Sequence, residues 1–339
     1  MSFPFLRAPQ VILSIIVNLA EPNELICLSQ CSKRAYNIVK TFRKKSKNVE
    51  IYVDNLEHHL EVYLNCKLSC RLLLDSSYDR EQFVRTKYPT TNLFGADFRL
   101  SFNMTGIWKL KWDDPTSDGF LTLMDWTSNL FRIDFKCVII NKDTIHRLIW
   151  VVRRQEYIDS VVSYRGHFTE DEIRFMMHLK VDKLHMDFVP LTFKYPETLP
   201  NRSRFSVTFG FWLTLNHLMT SNFEQLNFAL SSLTNSDFSQ FLRHWLAGGN
   251  GRMKTLVVQF NDANLNEITR GIENIIPNGD RREEVYCPLA GRELIMNDRL
   301  YLRRGDGVLA TCSVIERPKR FVFAVWPDAK KRACRINNF

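Results

Sequence analysis

Residues 226–260, LNFALSSLTNSDFSQFLRHWLAGGNGRMKTLVVQF, contain a strand, a helix and a second strand in one unbroken run. Leu226, Phe228 and Leu230 alternate, as do Leu256, Val258 and Phe260, a pattern that predicts strands with one buried face. Between them, Phe238, Phe241, Leu242 and Trp245 fall at helical spacing over Ser236–Leu246, and Gly248-Gly249 offers a C-terminal cap. Strands separated by a helix run parallel, so this stretch predicts a layered α/β sheet.

The same pattern extends upstream. Leu184-x-Met186-x-Phe188 is a third strong strand, with Ile133-x-Phe135-x-Cys137 and Phe98-x-Leu100-x-Phe102 as weaker ones. Thr169-Glu-Asp-Glu172 is a capping box that opens a helix running to about Leu179. The three strongest strands begin 42 and then 30 residues apart, which predicts no fixed period. After Asp280 the character changes. Tyr301–Arg304 and Val308–Ile315 flank Gly305-Asp306-Gly307, and Arg317-Pro318-Lys319 precedes Phe321–Trp326. Short strands around Asp-Gly and Pro turns predict a closing β-meander, with a frayed basic tail over 329–339. The predicted fold class is therefore α+β or α/β: a small N-terminal three-helix unit, then an irregular leucine-rich-repeat-like α/β domain ending in a β-meander.

At 339 residues and 45% hydrophobic, the chain has room for one small and one large domain. Its net charge of +9 is unevenly placed. Residues 1–48 and 317–339 contribute +6 each, so the rest of the chain is slightly acidic at −3. The eight cysteines are Cys27, Cys31, Cys66, Cys70, Cys137, Cys287, Cys312 and Cys334. They are sparse and lie mostly within apolar runs, which predicts reduced thiols and a cytoplasmic or nuclear protein. The sequons at Asn103 and Asn201 are then silent. Val11–Ala20 is too short to span a bilayer, and Gln10, Ser14 and Asn18 give it the polar stripe of an amphipathic helix. No membrane partner is expected.

Residues 3–42 predict three short helices. Pro9 and Pro22 suit first turns, Glu24 matches a positive helix end, and Ser32 can cap the third helix. Lys40, Arg43, Lys44, Lys45 and Lys47 crowd its far end, where cations compensate the helix dipole. The first helix leaves only Gln10, Ser14 and Asn18 for water, while Leu25, Ile26, Leu28 and Cys31 are expected to face out of the second. A unit of about forty residues cannot bury that surface alone. The rest of the chain, or a partner, must cover it.

Phe3-Pro-Phe-Leu6, Pro9, Ile12-Leu13, Ile16, Leu19, Pro22-Asn-Glu-Leu25 and Leu28-Ser-Gln-Cys31-Ser-Lys-Arg34 resemble an F-box. Ala8 and Ala35 depart from that pattern, where leucine and tryptophan are usual. The resemblance implies docking to a Skp-type linker on a cullin scaffold. It also implies that Phe5, Leu6, Pro9, Ile12, Leu13, Ile16, Pro22, Leu25, Leu28, Cys31, Lys33 and Arg34 bind that linker. Residues 215–260 are similar to the type-two F-box-associated domain expanded in nematodes. The match is carried by Thr220-Ser-Asn-Phe223-Glu-Gln-Leu226-Asn-Phe228, Leu233-Thr-Asn-Ser-Asp237 and Phe241-Leu-Arg-His-Trp245-Leu-Ala-Gly-Gly249-Asn. Leu302–Thr311 resembles the closing part of such chains. Together these imply an F-box over 1–48 and an F-box-associated recognition domain over 49–328. That organisation is expected of a non-catalytic ubiquitin-ligase adaptor that recruits a target protein of unknown identity through unknown substrate-binding residues.

Other motifs take ordinary readings. His58, His59, Cys66 and Cys70 lack a familiar zinc spacing, Arg304-Gly305-Asp306 reads as a hairpin turn, and Gly248–Gly251 lacks a phosphate-loop lysine. His244 has no evident carboxylate partner. No cofactor, metal or catalytic residue is expected. The alternative function, contact with nucleic acid through the basic termini, predicts steeply salt-dependent affinity. The basic–aromatic alternation that would favour it is missing from the sequence.

Overall fold

The computed structural model describes residues 5–43, 49–75, 90–93, 96–102, 107–112, 118–276, 286–289, 292–296 and 299–326. Lys44, Lys45, Lys47, the Asn103 sequon, Cys334 and the tail 329–339 lie outside them, as do the side chains of Phe5 and Cys287. The fold is mixed α/β, in two compact units of residues 1–162 and 163–339. That division concerns packing and is separate from the functional boundary expected near residue 48.

The first unit opens with α1 (Gln10–Leu19), α2 (Pro22–Gln30) and α3 (Lys33–Phe42). Six strands follow: β1 (Val49–Asp54), β2 (His59–Leu64), β3 (Lys67–Asp75), β4 (Thr90–Leu93), β5 (Ala96–Phe102) and β6 (Ile107–Trp112). Then come α4 (Gly119–Phe131), β7 (Phe135–Ile140), α5 (Ile145–Arg154) and β8 (Ile158–Ser163). The strands lie in the order β8-β7-β1-β2-β3-β6-β5-β4, with β1–β7 and β3–β6 parallel and the β1–β2–β3 and β4–β5–β6 pairings antiparallel. Val49, Ile51 and Val53 alternate into the core from β1, as Leu60 and Val62 do from β2.

Caps explain where the helices begin. Glu21 and Glu24 form a reciprocal capping box at α2 with Pro22 at its first position, and the Ser32 hydroxyl accepts from the Ala35 N–H at α3. At α4 the Asp118 carboxylate accepts from the Phe120 and Leu121 N–H groups. The same carboxylate accepts from the Arg147 Nε at 2.7 Å, and the Arg147 guanidinium lies 4.9 Å from the Phe120 ring centre.

The second unit contains α6 (Glu170–His178), β9 (Val181–Met186), β10 (Arg204–Val207), α7 (Leu215–Thr220) and β11 (Gln225–Phe228). It continues through α8 (Asn235–Leu246), β12 (Thr255–Gln259), α9 (Leu265–Ile268) and β13 (Ile275–Ile276). The last strands are β14 (Tyr286–Leu289), β15 (Arg292–Ile295), β16 (Arg299–Arg303), β17 (Leu309–Glu316) and β18 (Lys319–Trp326). β14 and β15 pair as a separate hairpin; the others lie in the order β13-β16-β17-β18-β12-β11-β10-β9. β9 to β12 are mutually parallel, and β16, β17 and β18 form antiparallel hairpins that close against β12. The expected capping boxes appear at Thr169–Glu172 and Thr234–Asp237, and Gly248 ends α8 at φ +100.

Two expectations need correction. The 42-residue gap between strands is divided by β10, whose Phe205 pairs with Leu184 and Leu226, 21 residues to either side. A regular interval therefore runs through β9, β10 and β11. It is hidden in the sequence because β10 is four residues long and shows only Phe205 and Val207 as inward positions. The connection from β9 to β10 is irregular and buries Val189, Phe193, Tyr195 and Leu199. Leu230, read as the third inward residue of its strand, is 48% exposed at φ +49, because β11 ends at Phe228 and the chain turns.

Candidate interaction surfaces

In α1, Leu13 and Val17 point into the first unit and are 5% and 0% exposed. Asn18 donates its Nδ2 to the Ser14 carbonyl at 2.7 Å and the Phe42 carbonyl at 3.1 Å, so it serves the end of α3 rather than water. Of the expected polar stripe Gln10 is exposed, while Ser14 and Asn18 are half-buried. The outer face is apolar: Val11, Ile12, Ile15 and Leu19 are 69%, 42%, 50% and 79% exposed. Beside it, Gln10, Lys33, Arg34, Ile38 and Phe42 line a shallow open groove. Arg34 is held there by donating to the Leu6 carbonyl.

Of the twelve residues assigned to linker binding, Pro9, Ile12, Cys31, Lys33 and Arg34 are exposed, and Leu6, Ile16 and Leu28 are half-buried. Leu13, Pro22 and Leu25 are buried, and the Phe5 side chain lies outside the described residues. Leu25 and Ile26 do not face out of α2 as the sequence suggested; they are 0% and 1% exposed. The first unit itself covers this face. α2 packs on β3, α3 packs on α4, and the Trp108 Nε1 donates to the Asn23 Oδ1 at 2.7 Å. Burial beside α4 pushes the Tyr36 hydroxyl up to about 12. The exposed aliphatics of α1 outside those twelve are Val11, Ile15 and Leu19, whose signal in the sequence is the i, i+4, i+8 spacing on the side away from Leu13 and Val17.

The second surface lies on the parallel sheet of the second unit. Residues on its open face stack at the 21-residue interval. Tyr164 meets His185 at 5.4 Å between rings, and the Asn227 Nδ2 donates to the Ser206 hydroxyl at 3.2 Å. At the carboxyl ends of the strands His167 packs edge-on against Phe188 at 4.4 Å, and Phe188 meets Phe209 at 5.1 Å. Leu230 falls at the next interval, so an apolar rail of His167, Phe188, Phe209 and Leu230 runs across the strand ends. Thr208 fixes its base by donating to Asp187 at 2.8 Å. Burial lowers the His185 imidazole below its ordinary value, with Asp187 opposing.

Two residues before Ser206 and Asn227, Arg204 and Gln225 sit side by side in register. The Arg204 Nε and Gln225 Oε1 are buried without a hydrogen-bond partner among the described residues. The carboxylates on or beside β9 and β11 are engaged elsewhere: Asp182 by Ser203, Asp187 by Thr208, and Glu224 by Lys254 and Arg252. The face therefore offers an uncompensated guanidinium at one end and an aromatic rail at the other.

Among the described residues no group of three or more His, Cys, Asp or Glu is placed to hold a metal, and no helix is long and apolar enough to cross a membrane. His58 packs edge-on to Phe120, His59 lies beside Glu61, Cys66 is exposed and Cys70 is buried. Arg304 pairs with Asp306 and stands over the Trp245 ring at 5.1 Å, which makes the Arg304-Gly305-Asp306 turn part of the core's edge. Cys27, Cys31, Cys66, Cys70, Cys137 and Cys312 are free thiols, the last three buried.

Residues 197–258 match the protein family described as F-box associated. The matched segment holds β10, α7, β11, α8 and most of β12. It includes all but the last two residues of the 215–260 resemblance and adds 197–214. No curated protein and no solved structure matches the chain.

Proposed function

We propose that the chain is a non-catalytic, substrate-recruiting subunit of a Skp–cullin–F-box ubiquitin ligase. Residues 1–48 would serve as the F-box and dock a Skp-type linker, and residues 49–328 would capture the target protein. One observation carries the reading: an F-box-associated segment lies downstream of three short helices that leave Val11, Ile12, Ile15 and Leu19 uncovered. A stripe of four exposed aliphatics on one helix face is costly to leave in water and suits a partner's apolar groove. The 21-residue interval supports reading the parallel strands as an irregular leucine-rich-repeat-like array, an architecture that presents an extended binding face. Catalysis would be by proximity alone, the tether raising the local concentration of target near the conjugating enzyme. The setting is the cytoplasm or the nucleus.

The test is co-purification with a Skp-type linker. Ile12→Asp together with Ile15→Asp places carboxylates in the contact, where losing a central anchor costs about 2–4 kcal/mol. That corresponds to roughly 30- to 1000-fold weaker binding. Undiminished co-purification by a folded double variant rejects the F-box assignment.

A further inference from the structure

We infer that the open face of the second unit's parallel sheet binds an extended segment of the target protein that carries a carboxylate and, a few residues away, an aromatic or aliphatic side chain. The inference rests on the adaptor reading for the word target, but its chemistry comes from the face alone.

The carboxylate is specified by Arg204. Its Nε is buried without a hydrogen-bond partner among the described residues. The carboxylates on or beside the neighbouring strands β9 and β11 are taken: Ser203 donates to Asp182 at 2.5 Å, Thr208 to Asp187 at 2.8 Å, and Lys254 to Glu224 at 2.5 Å. A half-buried guanidinium that its own neighbours leave uncompensated favours an anion from outside, and a carboxylate fits its fork of donors. Gln225, in register beside it, also keeps a buried amide oxygen without a partner among the described residues.

The apolar half is specified by the rail. His167, Phe188 and Phe209 touch in series across the strand ends, and Leu230 stands exposed at the next interval. Leu230 adopts φ +49, a conformation that costs a branched aliphatic residue energy and leaves its side chain in solvent. Arg204 and Phe209 are five positions apart in the chain, a span of at most about 16 Å. An extended peptide of about five residues covers that distance. Between the two ends His185, Ser206 and Asn227 provide polar contacts suited to a peptide backbone. The far side of the face is closed, since Val257 of β12 is buried against Met296, Val322 and Ala324. The usable lane is therefore the β9–β11 portion.

The experiment uses the full chain and fluorescently labelled twelve-residue synthetic peptides containing one glutamate and one phenylalanine, with two to six residues between them. Binding is read by polarisation against versions with lysine for glutamate or serine for phenylalanine. The expected result is a preferred spacing, with at least about ten-fold loss on either peptide change. Similar losses are expected for Arg204→Glu and for Phe209→Ser, and Arg204→Glu should gain affinity for the lysine peptide. Arg204→Gln, a milder change, guards against misfolding and should also weaken the glutamate peptide. Absence of binding by every peptide overturns the inference, as does binding indifferent to Arg204 and Phe209. Linker co-purification is measured on the same Arg204→Glu protein. Linker kept with peptide lost supports both readings, linker kept by a chain that binds no peptide overturns only the lane, and peptide bound by a chain that never takes up a linker overturns only the adaptor.

Discussion

Asp118 shows how much one side chain can hold. Burial pushes its carboxyl up, but hydrogen bonds from Arg147 and His146 outweigh that and keep it below the ordinary carboxylate range. Its stabilisation is full above the unfolded value near 4 and is lost as pH falls through the lower folded value. Asp118→Ala should remove that acid dependence and cost about 3 kcal/mol near neutrality, because Arg147 is 9% exposed and loses its anion. Urea titrations at pH 7 and pH 3 check both statements. His217 works in the same direction, in a higher pH window. Its Nδ1 accepts from the Thr214 N–H at 3.1 Å and its Nε2 therefore donates to the Glu197 carbonyl at 3.1 Å. Burial lowers its value despite backbone hydrogen bonds to Glu197 and Tyr195, so the neutral ring is the folded form. Stability is then complete above about pH 6.5 and declines as pH falls below it, since the proton must displace the cap. A melting temperature that falls between pH 7 and pH 5, and falls less in His217→Gln, is the expected outcome. Neither residue was legible in the sequence: Asp118 lies 29 positions from Arg147, and His217 lies 20 from the carbonyl that fixes its tautomer.

At the scale of elements, α6 and α8 were legible because their caps and apolar spacing agree, and β9, β11 and β12 because alternation and flanking turns agree. β10 was not, being too short for alternation to register. Its place is set instead by neighbours that already sit at the 21-residue interval. One position makes that dependence testable. Gly210 follows β10 and donates to the Ala229 carbonyl at 2.8 Å, and a Cβ there would lie 2.8 Å from the Phe228 ring and 2.9 Å from that carbonyl oxygen. Gly210→Ala should therefore push the end of β10 away from β11 at a cost of roughly 1–3 kcal/mol. Gly305→Ala, where a Cβ meets nothing within 4 Å, should change stability little. Chemical denaturation of the pair distinguishes a close backbone approach from a general intolerance of alanine. The outer stripe of α1 was half legible. Helical spacing marked the residues, but which side faces out depended on Asn18 reaching the Phe42 carbonyl, 24 residues away.

Across the whole molecule, function and folding need not divide at the same place. The sequence implies an F-box over 1–48 and a recognition domain from residue 49 onward. The packing of the first unit runs across that position. Leu25, Ile26, Ala35 and Val39 are at most 1% exposed, and Asn23 satisfies Trp108 from the body. Stripping the three helices would bare that apolar surface on β3 and α4 and leave the Trp108 indole without the Asn23 acceptor. Residues 49–339 alone should therefore express poorly or bind a hydrophobic dye, and grafting them onto an unrelated F-box should succeed only if the graft restores an Asn23 equivalent and the apolar α2–α3 face. Point substitutions, by contrast, should separate the two activities cleanly. Ile12→Asp with Ile15→Asp alters solvent-facing positions and should abolish linker capture while leaving the melting temperature within a few degrees, as surface changes usually do. Arg204→Glu should do the reverse, keeping the linker and losing the acidic peptide. If the isolated 49–339 segment proved as stable as the full chain, the helices would be an attached module after all, and the buried face of α2 and α3 would contribute far less than its packing implies.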